Sequence, residues 1–320
     1  MMNESHLVVN DGIYPAMITP YRPDHSIDFE AVRELVNWYG QMGCNGIFAA
    51  CTSSEVSFLS LAEREKLVRT VVEAAPPQMD VVACGHVADD FDEQIQELKV
   101  MAACGVKAVV IQLNRLVSPS ESDDLLCKRL EQLVARLPDD IYLGIYESPV
   151  PYKRFATDEL LRFCVESGRF IFMKDTSCRI SVMKRRLEIM KGSPMKLFNA
   201  NSATFYESIA LGAAGFCGVM GNFHPHWYRA ILDLHGRGRF KEAMHLQDLV
   251  GIASVVQNQQ YPMNAKYYLK LLGLPIQSCF CRNREHKALD ESTIKEIESG
   301  QRVSQYLESL YIPEKQWAAV

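Results

Sequence analysis

The chain has 320 residues, 48% of them hydrophobic and 23% charged, with a formal net charge of -5, and a prior of about 150 residues per domain is loose enough to admit one large barrel. The charge is spread without basic blocks, which excludes the electrostatic footprint that a phosphate backbone requires, so nucleic acid is not an expected partner. No run of about 18 uncharged apolar residues occurs, and the start, MMNESHLVVNDG, lacks a basic segment leading into an apolar one, so a cytoplasmic protein without membrane span or leader is predicted.

The first apolar run, Ile13–Thr19, is followed by FEAVRELVNWYGQMG, in which Val32, Leu35 and Val36 fall on one helical face. Gly46–Ala50 comes next, then a polar loop over Cys51, Thr52, Ser53, Ser54 and Glu55, then a helix that Ser60 and Glu63 open as a capping box and Pro76 and Pro77 close. Asp80–Gly85, Ala108–Leu113, Ile141–Tyr146, Phe170–Lys174, Lys196–Asn199 and Gly215–Met220 are further candidate strands. Gly43, Gly105 and Gly212 each stand just before a strand, where a helix end needs a left-handed residue. These alternating βα units predict an α/β protein, a (β/α)8 TIM barrel over residues 1–235. An open doubly wound sheet is the alternative, weakened by the absence of G-x-G-x-x-G after the first run. Beyond residue 236 the alternation stops, and GRFKEAMHLQDLVGIASVVQ, AKYYLKLLG and DESTIKEIESGQRVSQYLESL predict a helical region over residues 236–320.

Ten cysteines are present, mostly inside apolar segments such as those around Cys84, Cys104 and Cys217, where they read as small buried hydrophobes suited to a reducing compartment. No C-x-x-C occurs, and His224 and His226 in NFHPHW read as the start of a helix at Pro225, so no metal site is expected.

In a barrel, reactive groups stand at the carboxyl ends of strands. The sixth run, RFIFMKD, puts Lys174 there, where partial desolvation disfavours the ammonium and lowers its pKa toward neutrality. Pairing with Asp175 or another rim carboxylate is the competing role. The fifth run ends in Tyr146, one strand away, able to pass protons or to serve as an ordinary rim aromatic. The loop after the second run offers three hydroxyls and backbone donors, either to grip a carboxylate or to form a capping turn.

The ordered series GIYPAMITPY, SIDFEAV, C-T-S-S-E, SLAEREKL, GIYESPVPY, FMKDTS, LGAAGFCGVMGNFHP and NAKYYLKLLG resembles the dihydrodipicolinate synthase and N-acetylneuraminate lyase family over nearly the whole chain. The resemblance implies a barrel with a C-terminal helical region, assembled as a homo-oligomer, tetramer or dimer, that works without metal or organic cofactor. It implies that Lys174 forms an imine with pyruvate or another 2-oxo acid, that Tyr146 shuttles protons with Thr52 in its relay, and that Ser53 binds the carboxylate. Cys51 and Ser54 replace glycines of the family's G-T-T-G-E pattern, which makes the loop geometry an open question. Arg115 or Leu116 stands where the family supplies a relay tyrosine to the neighbouring subunit, and Pro151 stands where synthases place an arginine for the second substrate.

On these grounds the expected activity is a Schiff-base lyase, an aldolase or dehydratase, acting on a 2-oxo acid such as a 2-keto-3-deoxy sugar acid. Cys217, Glu147, Asn199, Asn201 and Arg115 join Ser53 as expected substrate contacts, with Lys153 or Arg154 as an alternative ionic partner for Glu147. Dihydrodipicolinate synthesis from pyruvate and aspartate semialdehyde, and a catalytically silent barrel that binds a 2-oxo acid, are the alternatives.

Overall fold

The computed structural model describes residues 8–282 and 288–311; the chain's first seven residues and the last part of the predicted C-terminal region lie outside the described residues. Eight parallel strands are described: β1 (Gly12–Ile13), β2 (Gly46–Ala49), β3 (Asp80–Ala83), β4 (Ala108–Gln112), β5 (Leu143–Tyr146), β6 (Phe170–Asp175), β7 (Lys196–Asn199) and β8 (Gly215–Phe216). Hydrogen-bonded order runs β1-β8-β7-β6-β5-β4-β3-β2, and a parallel bridge between Ala16 and Phe48 joins the two ends, so the sheet closes into the expected barrel.

Helices alternate with the strands: α1 (Phe29–Gln41), α2 (Leu61–Ala74), α3 (Phe91–Ala102), α4 (Asp123–Arg136), α5 (Asp158–Glu166), α6 (Ile180–Met190), α7 (Phe205–Ala210) and α8 (Pro225–Gly236). The first five begin behind side-chain caps, Asp28, Ser60, Asp90, Ser122 and Thr157, each accepting a backbone N–H of the first turn. These caps satisfy otherwise orphaned donors and fix where each loop hands over to its helix, which is at the mouth of the barrel. The capping box at α2 is formed as expected, with the Glu63 N–H 3.3 Å from Ser60 Oγ and the Ser60 N–H 2.9 Å from Glu63 Oε2. Gly43, Gly105 and Gly212 all carry positive φ. After α8 come α9 (Phe240–Ala253), α10 (Met263–Leu271) and α11 (Glu291–Tyr311), as the loss of alternation predicts.

The first and last strands are shorter than expected. The run Ile13–Thr19 yields one strand residue, Ile13, and an isolated bridge at Ala16, because Pro15 has no N–H to donate to a ladder. The run Gly215–Met220 turns into a 3-10 helix at Val219–Asn222.

The core has two layers. Tyr14, Phe48, Val82, Val110, Phe172, Phe198 and Cys217 fill the barrel interior, and a larger cluster lies between the sheet and the helices. Between β5 and β6 the register slips: Leu143 opposes Phe170 but Gly144 opposes Phe172. A Cβ on Gly144 would lie 3.0 Å from the Phe172 carbonyl oxygen, so glycine permits this approach. The slip leaves Tyr146 level with Lys174 on the neighbouring strand.

Candidate active site

Lys174 and Tyr146 end β6 and β5, are 4% and 3% exposed, and face the barrel interior. Lys174 Nζ lies 4.5 Å from the centroid of the Tyr146 ring and 5.0 Å from that of Phe48. Beneath them Tyr14, Phe172 and Phe198 pack ring on ring, with centroids 4.6 Å apart for Tyr14 and Phe198 and 4.8 Å for Phe172 and Phe198. This floor fills the barrel and keeps water off the lysine from below.

Asp175, the competing partner, is turned away: its carboxylate meets Arg186 of α6. Among the described residues Lys174 has no ion pair and no hydrogen bond, and its amine faces the Tyr146 and Phe48 rings. Burial is the largest influence on its ammonium and pushes the pKa down, while Tyr146, Cys217, Cys51 and Cys84 pull it up as they ionise, and the lysine ends above its ordinary value. The expected fall toward neutrality is thereby corrected, because the groups facing the lysine are acids. Their pull belongs to the alkaline range, however. Burial pushes the Tyr146 phenol up and the Cys217 and Cys84 thiols up to about 12.

The loop after β2 forms a 3-10 helix, Thr52–Ser54. Cys51 is extended, with φ -102° and ψ -174°, so no glycine is needed there, and the positive-φ residues of the loop are Ala50, at 45°, and Glu55, at 61°. Ser54 accepts the Cys51 N–H and donates to the Met17 carbonyl oxygen at 2.6 Å, which ties the loop to the segment after β1. The Thr52 hydroxyl is 3.5 Å from Tyr146 Oη and 3.1 Å from Ser148 Oγ, and Ser148 in turn donates to the Val150 carbonyl. A chain of hydroxyls therefore leads away from Tyr146.

Two of these mouth residues escape a reading of the sequence. Ser148 sits in a proline-flanked turn with no periodicity to mark it. Tyr261 arrives from the segment before α10, where its phenol accepts the Asn222 amide at 3.1 Å and lies 3.5 Å from the Ala16 carbonyl oxygen. Cys217, at the end of β8, lines the same interior as Lys174.

The remaining expected contacts are placed differently. Glu147 is fully buried on Arg186, with its oxygens also accepting the Ala156 and Thr176 N–H groups; Lys153 and Arg154 are engaged elsewhere, by the Thr176 carbonyl and Asp123. The Asn199 amide donates to Thr204 and Ser208 and its oxygen accepts the Asn201 N–H, while Asn201 accepts from Thr204, so both asparagines fasten β7 to α7. As expected substrate contacts Glu147 and Asn199 are corrected, being fully buried with their polar atoms already serving the scaffold, whereas Asn201 is tied to it through its backbone N–H and Oδ1. Arg115 lies 3.5 Å from both Ser57 Oγ and Asp89 Oδ1, and its buried Nε has no partner among the described residues. Of the two histidines of NFHPHW, His224 meets Tyr268 and His226 meets Glu308.

Cavities of about 660 and 450 Å³ open elsewhere, one lined by α6 and α7 residues including Lys184 and Leu211 and one by α7 and α9 residues including Tyr206 and Met244. The chemistry is thus located by its side chains and not by cavity size.

The sequence profile of the Dihydrodipicolinate synthetase family matches residues 10–293. The chain belongs to that family. It is similar to the N-acetylneuraminate lyase of Rhizobium meliloti, at 26% identity over 267 residues covering 83% of this chain and 86% of that one. It is similar to the 4-hydroxy-tetrahydrodipicolinate synthase of Jannaschia at 25% identity over 295 residues, covering 91% and 97%. Among solved structures, a catalytic-lysine mutant of the Ruminococcus gnavus sialic acid aldolase superposes with a TM-score of 0.84 at 18% identity, covering 97% of this chain and 100% of that one. As a member of the dihydrodipicolinate synthetase family the chain is an aldolase-type lyase acting on a 2-oxo acid, and lyase and synthase relatives match it about equally well.

Proposed function

We propose that Lys174 is the imine-forming nucleophile and that the substrate is a 2-keto-3-deoxy sugar acid cleaved to pyruvate and an aldehyde. The observation that carries the reading is a buried amine without a carboxylate partner, beside the Tyr146 ring at a barrel mouth. Lys174 gives up one ammonium proton and attacks C2 of the oxo acid as the free amine; the ketone oxygen takes that proton through Tyr146 and a second from the nitrogen, and water leaves as the iminium forms. The C4 hydroxyl then loses its proton, the C3–C4 bond breaks with its electrons moving to the iminium nitrogen, and C4 departs as the aldehyde. Protonation of the enamine at C3 and hydrolysis release pyruvate and restore Lys174.

Thr52 and Ser148 continue the proton path from Tyr146, and Ser53 holds the carboxylate. Arg115, with its unpartnered Nε, is the cation offered to the distal end of the substrate. Pro151, at the position where synthases carry an arginine, disfavours aspartate semialdehyde as the second substrate. Assembly as a homo-oligomer, dimer or tetramer, is part of the same reading.

Borohydride reduction with pyruvate should add one reduced pyruvyl group at Lys174 by intact mass and peptide mapping, and Lys174→Ala should take up none. Cleavage of a sugar-acid panel, run beside condensation of pyruvate with aspartate semialdehyde, identifies the substrate. Faster condensation than any cleavage overturns the sugar-acid reading, and absence of the adduct overturns the imine.

A further inference from the structure

Tyr146 and Lys174 share a register position on adjacent strands, and each is followed by a carboxylate, Glu147 and Asp175. Side chains alternate across a strand, so the two carboxylates project to the helix side of the sheet while the tyrosine and lysine face the interior. Both carboxylates meet one guanidinium, that of Arg186 on α6. Its Nη2 bonds Glu147 Oε1, and its Nη1 bonds Asp175 Oδ2 and lies 3.2 Å from Glu147 Oε2. Side-chain exposure is 3% for Arg186 and 0% for both acids. The remaining oxygen positions are also engaged: Glu147 accepts the Ala156 and Thr176 N–H groups at 2.9 and 3.1 Å, and Asp175 Oδ1 accepts the Ser177 N–H and hydroxyl at 2.8 and 2.7 Å.

A buried ionic triad is a poor way to gain stability compared with apolar packing of the same volume. What it supplies is geometry, because a planar fork that bonds two carboxylates at once fixes the distance between the strand ends that carry them. We infer that Arg186, Glu147 and Asp175 form a clamp that sets the separation of Lys174 from Tyr146, making them positioning residues for imine formation. The inference rests on the reading of Lys174 as the nucleophile. None of the three touches the substrate; they act through the two residues in front of them, where a misplacement of about 1 Å costs about 100-fold in rate.

The test uses the full chain and two variants. Glu147→Gln keeps the volume and leaves Arg186 on Asp175, while Arg186→Lys keeps the charge but not the fork. At saturating pyruvate the rate of borohydride-trappable imine formation should fall about 10- to 100-fold in each. The half-saturating pyruvate concentration should stay within about threefold, because the carboxylate grip at Ser53 is untouched. Circular dichroism and thermal melts show the folded fraction at the assay temperature. Variants that trap pyruvate at the wild-type rate per folded molecule, a change confined to half-saturation, or failure of both to fold each overturn the clamp as a positioning device. Wild-type chain that traps no pyruvate overturns the imine reading and the clamp together, whereas wild type that traps with variants that match it removes the clamp alone.

Discussion

A tyrosine beside a buried lysine is useful only if its proton has somewhere to go, and Tyr146 reaches the Thr52 hydroxyl at 3.5 Å and through it Ser148. Tyr146→Phe should leave the pyruvate adduct detectable but slow its formation by about 10²–10⁴-fold, the usual cost of a lost general acid or base. Single-turnover trapping measures this directly, and unchanged kinetics would mean that the proton travels by another route. The placement of Lys174, Tyr146, Thr52 and Ser53 at the carboxyl ends of strands was legible from the apolar runs that precede them. Glu147 was misplaced although the means to place it were at hand: it follows Tyr146 on a strand, so period two turns it outward. Arg186 and Ser148 were not legible, since each matters through a partner far off in sequence, 39 residues away for Arg186 and Glu147 and 96 for Ser148 and Thr52.

At the scale of elements, the strand and helix order followed from periodicity, while the slip between β5 and β6 did not, because one extra residue leaves the apolar pattern of Phe170, Ile171 and Phe172 unaltered. The caps that seat the helices were visible as Ser60 with Glu63, but the groups that join elements laterally were not. Two of these are buried histidines. His86, after β3, accepts the Gln112 N–H at the end of β4 at 2.7 Å, and His224, before α8, meets Tyr268 of α10 at 3.2 Å. Burial pushes their pKa values from 6.5 down to about 4 and about 3. The folded chain therefore keeps them neutral where the unfolded chain takes up protons, so the stability they confer is complete above pH 6.5 and drains away as pH falls toward 4 and 3. The slope is at most about 1.4 kcal/mol per pH unit for each histidine. Denaturant midpoints between pH 7 and 4.5 should fall less steeply in His86→Gln/His224→Gln than in wild type, and parallel slopes would contradict the assignment.

For the whole molecule, the helical region after α8 is part of the mouth and not an appendage. Lys266 of α10, fully buried, pairs with Glu55 at 2.6 Å, and Glu55 also accepts the Arg282 N–H at 2.6 Å, so the left-handed end of the Thr52 loop is held by residues beyond the barrel. Lys266→Met strands a buried carboxylate and should cost about 3–5 kcal/mol by chemical denaturation. A loss below about 1 kcal/mol would show that water reaches Glu55 and that the loop does not depend on this tie. The sequence divides by pattern near residue 236, and the Lys266–Glu55 pair joins the two parts across that point. The hydroxyl chain from Tyr146 through Thr52 ends on Ser148 of the same polypeptide. Catalysis should then be indifferent to dilution. Specific activity followed down a concentration series, alongside light scattering, should hold level while any assembly comes apart, and a decline in step with dissociation would mean that a second copy completes the proton path.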